Sequence, residues 1–396
     1  MPEARKIAFV SPRYSPGGTV GGAETLLRSL AEYAAANGWE VDFLTTCAED
    51  HFSWENAREP GVERSGELTI HYFPVNEDRD IGVFRQIQES ISNEGVFFDE
   101  DEELWMRNNV NSSKLNDYLE CEGASYDRLV MGPYLFGLIF YASLICPEKT
   151  LLVPCLHDEP FAYLQIMRRM FEAVGGFMFN SEPEAQLARS IFDIEEKSQS
   201  VVGMGLDSFN ADPGAFASRH GIDVPYVMYA GRREAMKGTP LLCDYMNVFR
   251  QRTGRDVKLV FTGKGVIDAP SELEPHIIDV GFVNEKEKRE AMAGATAFIH
   301  PSVNESFGIV LMESWLVRTP ALVHANSAVL RWQCEQSNAG LWFRTYPEFE
   351  EELLLLLDNR RVSETLGAAG REYVQTRYSM ESVGARLLSA LDGESQ

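Results

Sequence analysis

The chain has 396 residues, of which 44% are hydrophobic and 24% are charged, a composition typical of a soluble globular protein with two domains. Its formal net charge of −24 disfavours nucleic acid as a partner, because the field of the protein repels a polyanion. Six cysteines without C-x-x-C spacing and an N-terminus without a long apolar stretch predict a cytoplasmic protein with neither disulfides nor a secretion signal.

The first predicted elements form one βαβ unit. Residues 6–10 are predicted to be a buried strand, and a glycine-rich loop at 17–22 leads into a helix that ends near Asn37. A second strand at 40–45 then begins a parallel sheet. Similar patterns predict a helical segment at about 76–118, a buried helix within 134–146, and strands at 129–131, 151–154, 176–180 and 200–203.

The second half repeats this alternation of strand and helix. Strands are predicted at 226–231, 258–263, 277–281, 297–301 and 321–324, of which 321–324 is the last clear one. A linker between the domains is placed at 205–222, which is rich in glycine and turn residues. In parallel sheets of this kind ligands bind beyond the carboxyl ends of the strands.

The strongest functional signal is the segment 300–313, which leaves a buried strand, turns through a polar loop and enters a helix near Phe307 or Gly308. The N–H groups of residues 307–310 at the helix start could bind a phosphate or sugar oxygen. Glu305 precedes the helix and Glu313 lies about two turns inside it, and either carboxylate could accept hydrogen bonds from sugar hydroxyls. The alternative is a capped surface helix with two ordinary glutamates.

A second signal is the loop 231–238, in which Arg232 at a strand end and Lys237 before a helix are predicted to converge on one diphosphate. A basic surface loop is the alternative. In the glycine loop, Gly21 and Gly22 fit neither the dinucleotide-binding register nor a Walker motif, so backbone contact with phosphate is favoured. Glu24 at its helix start either matches the helix dipole or contacts an acceptor.

Two polar segments of the first half have weaker signals. His157 follows the strand at 151–154 and could bond a sugar hydroxyl, or it could be a structural residue. The Asp-x-Asp pattern at 78–80 binds manganese in another transferase fold, but here it lies in a polar loop and is interpreted as chance. The segment 163–171 is apolar with two arginines. It is predicted to pack in the core, with peripheral contact to a lipid or membrane as the alternative.

The motifs together resemble family 4 of the retaining glycosyltransferases. The E-x7-E motif of that family matches Glu305 and Glu313, and its G-R-x5-K-G stretch is similar to Gly231, Arg232, Lys237 and Gly238, although here four residues separate arginine from lysine. The family's Gly-Gly-Ala-Glu matches 21–24, and its connector resembles 202–207. Arg318-Thr319 stands where the family commonly has a glycine.

The resemblance implies an α/β chain with the GT-B fold, in which two Rossmann-like domains face each other across a cleft and a C-terminal helix returns to the N-terminal domain. Residues 1–206 would bind the acceptor, with part of 375–396 packed on them, and 207–374 would bind the nucleotide-sugar donor. The returning helix is expected at 380–392, where apolar residues recur at helical spacing.

The resemblance also implies roles for residues. Arg232 and Lys237 would hold the diphosphate, Glu313 the ribose, Glu305 with the following amides the transferred sugar, and His157 would lie near its C6 hydroxyl, while backbone around Phe282 and Val283 would meet the base. The predicted catalytic residues are His157, Arg232, Lys237 and Glu305. The predicted donor-binding residues are Gly21, Gly22, Arg232, Lys237, Phe282, Val283, Glu305, Ser306, Phe307, Gly308, Ile309 and Glu313.

The implied activity is transfer of a sugar from a nucleotide-diphosphate donor, most commonly UDP- or GDP-linked, to a hydroxyl of an unidentified acceptor. The anomeric configuration is retained, and no metal or cofactor is needed. The acceptor would be a carbohydrate, a lipid-linked compound or another small molecule. The alternatives are a phosphorylase or a sugar-nucleotide epimerase of the same fold, an inactive binding protein, and an NAD-dependent oxidoreductase that binds dinucleotide at the loop 17–22.

Overall fold

The computed structural model describes residues 5–16, 21–93, 95 and 98–393, and these divide into two compact units. The first unit contains the described residues up to Gly205 together with those from Val383 onward. The second unit is Leu206–Ser382. Of the predicted glycine-rich loop, residues 17–20 lie outside the described part of the chain, whereas Gly21 and Gly22 lie within it.

The first unit is built on a sheet. Its eight strands within the described residues have the order β3-β4-β2-β1-β5-β6-β7-β8. All neighbours are parallel except β3 and β4, which form an antiparallel hairpin at the edge. The strands are β1 (Lys6–Val10), β2 (Glu40–Thr46), β3 (Gly61–Ser65), β4 (Leu68–Phe73), β5 (Arg128–Met131), β6 (Thr150–Leu152), β7 (Gly176–Phe179) and β8 (Ser198–Val201).

The helices of this unit cover the sheet and build its core. They are α1 (Gly22–Ala36), α2 (Ile81–Ser92), α3 (Asp99–Asn108), α4 (Ser113–Glu122), α5 (Gly137–Ser143), α6 (Gln165–Ala173), α7 (Glu182–Ile191) and the C-terminal helix α15 (Met380–Asp392). The helical segment predicted at 76–118 is confirmed as α2, α3 and most of α4. The acidic run at 99–103 begins α3, where negative charge favours the helix dipole.

The apolar segment 163–171 packs in the core, as predicted. On α6, the side chains of Ile166, Met167, Met170 and Phe171 are buried. The two arginines of the helix point outward, where Arg168 pairs with Glu172 and Arg169 with Glu103. The arginines are therefore explained by surface ion pairs and need no lipid partner.

The second unit is an all-parallel sheet with the order β11-β10-β9-β12-β13-β14 among the described strands. The strands are β9 (Tyr226–Ala230), β10 (Lys258–Thr262), β11 (Ile277–Asp279), β12 (Ala297–His300), β13 (Ala321–His324) and β14 (Gly340–Phe343). The helices are α8 (Ala215–His220), α9 (Thr239–Thr253), α10 (Glu285–Gly294), α11 (Ile309–Leu316), α12 (Ala328–Ser337), α13 (Tyr346–Asp358) and α14 (Arg360–Arg377).

Two elements of this half were not predicted. After the last clear strand, Ala321–His324, the structure adds β14, which pairs with it at the edge of the sheet. The segment predicted as a linker contains α8, which is anchored by the buried ring of Phe216 and by an ion pair from Arg219 to Glu290 of α10. Both elements are short, so their periodicity is weak in the sequence.

The C-terminal helix α15 has the bounds predicted for it and belongs largely to the first unit. It buries Val383, Leu387 and Leu391, and Gly384 lies against the ring of Tyr33 on α1. A Cβ atom at position 384 would overlap that ring. Glycine avoids this overlap, although it is a poor helix former, and a larger residue would have to displace the ring of Tyr33.

Substituting Gly384 with alanine should lower the free energy of unfolding by about 1–3 kcal/mol, because overpacking outweighs the better helix propensity of alanine. Urea unfolding followed by circular dichroism measures the change. In a Tyr33→Ala background the same substitution should cost nothing further, because the ring that it meets is gone. An equal loss in both backgrounds would contradict this account of the packing of α15.

Candidate active site

The carboxyl ends of the neighbouring strands β9 and β12 carry the two loops singled out in the sequence. The first loop runs from Gly231 to Gly238 before α9, and the second runs from Pro301 to Gly308 before α11. Gly238 has φ +70°, and a Cβ atom there would lie 2.6 Å from the carbonyl oxygen of Pro301. Only glycine lets the two loops approach this closely.

Lys237 and Glu305 form an ion pair where these loops meet. The Lys237 Nζ donates to Glu305 Oε1 at 2.7 Å and lies 3.4 Å from the carbonyl oxygen of Asn304. The two side chains are only 24% and 16% exposed, so the pair is shielded from water more than a surface pair would be. The structure thus joins two predicted site residues that are 68 positions apart in the chain.

His300, the last residue of β12, lies behind this pair. Its Nε2 is 3.8 Å from Glu305 Oε1, and the imidazole is buried. Burial lowers the pKa of His300 to about 4, an effect that Lys237 reinforces and Glu305 opposes. The ring is therefore neutral near neutral pH. No role for His300 was predicted, although a polar residue at the end of an otherwise apolar strand is a usable signal in the sequence.

The turn before α11 is fixed by its glycine. Gly308 has φ +87°, and a Cβ atom there would lie 2.6 Å from Leu330 Cδ2. The preceding Phe307 is buried edge-on against Tyr378, with ring centroids 4.9 Å apart. The helix begins at Ile309, one or two residues later than predicted, and its first N–H groups have no partners within the helix.

Glu313 lies little more than one turn inside α11, not the expected two turns. Its carboxylate is nearly buried, and Oε1 accepts from Lys288 Nζ of α10 at 2.9 Å. Burial raises the pKa of Glu313, whereas the ammonium of Lys288 opposes the rise. Oε2 is buried and has no hydrogen-bond partner among the described residues.

Arg232 and Lys237 are not in contact in this structure. The exposed guanidinium of Arg232 pairs instead with Glu234, Nη1 to Oε1, at 3.2 Å. The next residue, Arg233, is the buried one, and it binds the carboxylate of Asp279 with both terminal nitrogens. Arg233 therefore links the loop after β9 to β11, whereas Arg232 lies at the surface.

Phe282 and Val283 follow β11, at the carboxyl end of the strands of the second sheet. The ring of Phe282 is 70% exposed, and Lys264 Nζ lies 5.4 Å from its centroid. Val283 is half-buried. The loops that follow β10 and β11 are joined by a hydrogen bond of 2.7 Å from the Gly263 N–H to the Gly281 carbonyl. An aromatic face is thus open to solvent next to the carboxyl end of β10.

In the first unit, His157 lies in the loop after β6. Its Nδ1 is 3.6 Å from Glu159 Oε1, which accepts from the hydroxyl of Tyr134 at 2.8 Å. The loop is held by Glu184, whose buried carboxylate accepts from the N–H groups of Leu156 at 2.7 Å and of Asn180 at 2.6 Å. Burial raises the pKa of Glu184 to about 8.

Gly21 and Gly22 begin α1, where Gly21 is the N-cap residue. A Cβ atom at Gly21 would overlap the carboxylate of Glu24, so a larger residue there would displace that side chain. Glu24 is buried and accepts from Arg13 Nη2 at 2.7 Å. The structure thus assigns Glu24 an ion pair, which neither sequence interpretation included.

The Asp-x-Asp pattern at 78–80 caps a helix. Asp80 precedes α2 and accepts from the N–H of Val83 at 3.0 Å. Across the described ranges, no group of three or more His, Cys, Asp or Glu side chains is arranged to hold a metal ion. In the same part of the chain, no helix combines the length and hydrophobicity that a membrane crossing requires.

Comparison with known families identifies the second unit. Residues 215–373 match the family model described as "Glycosyl transferases group 1". The chain carries a glycosyltransferase group 1 domain. The match confirms the predicted class of enzyme, a glycosyltransferase. The matched residues include both loops, the Lys237–Glu305 pair and Glu313.

Two curated relatives carry related names. The chain is 27% identical over 245 residues to an alpha-D-kanosaminyltransferase of Streptomyces kanamyceticus, a match that covers 58% of this chain and 63% of that protein. The chain thus spans less than two thirds of that relative. It is 24% identical over 398 residues to the uncharacterized glycosyltransferase MJ1607 of Methanocaldococcus jannaschii, covering 93% of this chain and 91% of the relative.

Solved structures confirm the GT-B fold with its two Rossmann-like units. A sucrose-phosphate synthase from Thermosynechococcus elongatus superposes with a TM-score of 0.71 at 18% identity, over 96% of each chain. HepE of Anabaena, solved in complex with UDP and glucose, superposes with a TM-score of 0.69 at 14% identity, over 98% of this chain and 99% of that one.

The buried His300 of the glycosyltransferase domain makes stability depend on pH. Its pKa is about 4 in the folded chain against 6.5 when unfolded, so the unfolded chain binds the proton first as pH falls. Above about pH 6.5 the histidine is neutral in both states and does not oppose folding. Between about pH 6.5 and about pH 4 its protonation favours the unfolded chain, so the free energy of unfolding falls.

Between about pH 7 and about pH 4.5, the wild type should lose about 2 kcal/mol more unfolding free energy than His300→Gln, which cannot titrate. Urea unfolding of both proteins across this range measures the difference. Other titrating groups are common to both proteins and cancel. Parallel curves would show that His300 is not buried in its neutral form.

Proposed function

We propose that the chain is a retaining glycosyltransferase that moves a sugar from a UDP- or GDP-linked donor to an acceptor hydroxyl in the cytoplasm, without a metal ion. The observation that carries the proposal is the Lys237–Glu305 pair at the carboxyl ends of β9 and β12. It combines a cation for phosphate with a carboxylate for sugar hydroxyls. Both lie at the carboxyl ends of parallel strands, where ligands of such folds bind.

The diphosphate would bind at Lys237. In a chain of net charge −24, an anionic donor needs a local source of positive potential. Lys237 supplies one, and the N–H groups at the start of α11 supply another. Arg232 is exposed and pairs with Glu234 at the surface, so its side chain can turn to the phosphates at little cost.

The sugar and the nucleoside would bind through the two glutamates and the neighbouring backbone. Glu305, with the amides of Ser306, Phe307, Gly308 and Ile309, is assigned to the transferred sugar. Glu313 is assigned to the ribose because its Oε2 lacks a donor within the described protein. The exposed ring of Phe282 and the backbone at Val283 would meet the base. From the first unit, we assign His157 to the C6 hydroxyl of the sugar, and Gly21 and Gly22 to the phosphates.

In the proposed reaction the bond between the anomeric carbon and the diphosphate oxygen breaks, and the acceptor oxygen bonds to that carbon on the same face. The departing diphosphate takes the acceptor proton. Lys237 would stabilise the negative charge that develops on the leaving oxygen. HepE, which has a similar fold, was solved with UDP and glucose, and this supports a uridine donor among the alternatives.

A screen of donors tests the proposal directly. The chain is heated with UDP, GDP, ADP and their common sugars, and a ligand at about 100 times its Kd should stabilise it by about 2.7 kcal/mol. Release of nucleoside diphosphate in the presence of acceptors then identifies transfer. Sugar phosphate formed only with inorganic phosphate would indicate a phosphorylase, and an altered nucleotide sugar without nucleotide release would indicate an epimerase.

Replacing Lys237 with alanine should lower kcat/KM by roughly 30- to 150-fold, because the transition state loses a charge-assisted bond of about 2–3 kcal/mol. Initial rates of nucleoside diphosphate release measure the loss. Lys286→Ala is the matched control, because Lys286 is 83% exposed on α10 and bears no proposed role. Unchanged kcat/KM in Lys237→Ala would contradict the role of Lys237 as the phosphate ligand.

Treatment with EDTA should leave the transfer rate unchanged within error, because the proposed charge stabilisation comes from Lys237 and helix N–H groups. The same rate assay, run with and without added Mg²⁺ or Mn²⁺, checks this. Complete loss of activity that either metal restores would contradict the proposed mechanism.

A further inference from the structure

Lys288 has surroundings that are unusual for a lysine on a surface helix. It lies in the first half of α10, and its side chain is only 18% exposed. Its ammonium is 3.0 Å from Glu285 Oε2 and 2.9 Å from Glu313 Oε1. The side chain therefore turns inward between two carboxylates, one exposed on its own helix and one buried on α11.

The carboxylate of Glu313 is held on one side only. Lys288 binds Oε1, while Oε2 is buried without a hydrogen-bond partner among the described residues. A buried carboxylate oxygen is stabilised when a donor reaches it. The bond at Oε1 fixes the rotation of the carboxylate. It therefore also fixes the direction from which Oε2 can accept a hydrogen bond.

The charges around Glu313 come mainly from α10. Lys288 and Arg289 favour its ionised form, and Glu285 opposes it. From α14, Arg371 donates to the carbonyl of Leu316 at the end of α11. Lys288 is the one of these cations that bonds the carboxylate itself, and it keeps Glu313 an acceptor in spite of burial, which raises its pKa.

We propose that Lys288 is a positioning residue that makes the site specific for ribose, by holding Glu313 Oε1 so that Oε2 accepts from a ribose hydroxyl. The inference rests on the proposed function. The ammonium also compensates the charge of Glu313, so that an anionic nucleotide does not meet an uncompensated buried carboxylate. Lys288 itself does not touch the donor.

The test compares ribose and dideoxyribose nucleotides on one set of proteins. Calorimetric titrations use UDP or GDP, whichever stabilises the wild type, and the 2′,3′-dideoxy form of the same nucleotide. The wild type should bind the ribose form about tenfold or more tightly, a difference typical of hydrogen bonds to a charged group. Lys288→Met should lose this preference by weakening the ribose form alone.

Three variants separate the positioning role from a structural one. Lys288→Arg keeps a cationic donor and should retain most of the preference. Lys288→Gln keeps a neutral donor and serves if the methionine variant does not fold. Lys286→Met, two residues away and exposed, should bind both nucleotides as the wild type does.

The outcomes are distinct. A variant that weakens both nucleotides equally, or that keeps the full preference for ribose, overturns the assignment of Lys288 while leaving the proposed function intact. A wild type that binds nucleotide without preferring ribose overturns the role of Glu313 Oε2, and with it the role of Lys288. A wild type that binds no nucleoside diphosphate overturns the proposed function itself.

Discussion

The ion pair between Lys237 and Glu305 is the contact on which the proposed site depends. It connects the loops that leave β9 and β12, and those loops can meet because Gly238 leaves room for the backbone of Pro301. A partly buried pair is costly to break on one side only, because the remaining charge is left without compensation. The pair therefore holds the two loops in place before any ligand binds.

Three acidic side chains of the second unit have cationic partners in spite of the chain's overall charge of −24. Glu305 pairs with Lys237, Glu313 with Lys288, and Asp279 with Arg233. The two more deeply buried carboxylates, those of Glu305 and Glu313, are thus compensated by a nearby ammonium. The consequence is a sheet edge at which an anionic ligand meets less repulsion than the net charge alone suggests.

Much of the fold could be predicted because its central strands are continuous apolar runs, such as 6–10 and 226–230, which parallel sheets bury on both faces. The hairpin of β3 and β4 was missed because β3 is exposed and polar, at the edge of the sheet. At Arg318, a non-glycine residue adopts φ +65° where the family commonly has glycine, so the helix end keeps its left-handed turn without the usual residue.

The site could be predicted in part. Glu305, Lys237 and Gly308 follow from motifs, and the structure gives each a defined place. Lys288 could not be found this way, because its partner Glu313 is 25 residues away and only tertiary packing joins them. The sequence also could not predict that Arg232 is exposed and Arg233 buried. Adjacent arginines are alike in sequence, and only the fold decides which acid each one reaches.

A crystal structure of the chain with bound nucleoside diphosphate would show whether Lys237 binds the phosphates. Phosphate oxygens should lie about 2.7–2.9 Å from Lys237 Nζ, the usual length of a charge-assisted bond, with the ribose at Glu313. A nucleotide bound away from the carboxyl ends of β9 and β12, without contact to the Lys237–Glu305 pair, would rule out Lys237 as the phosphate ligand.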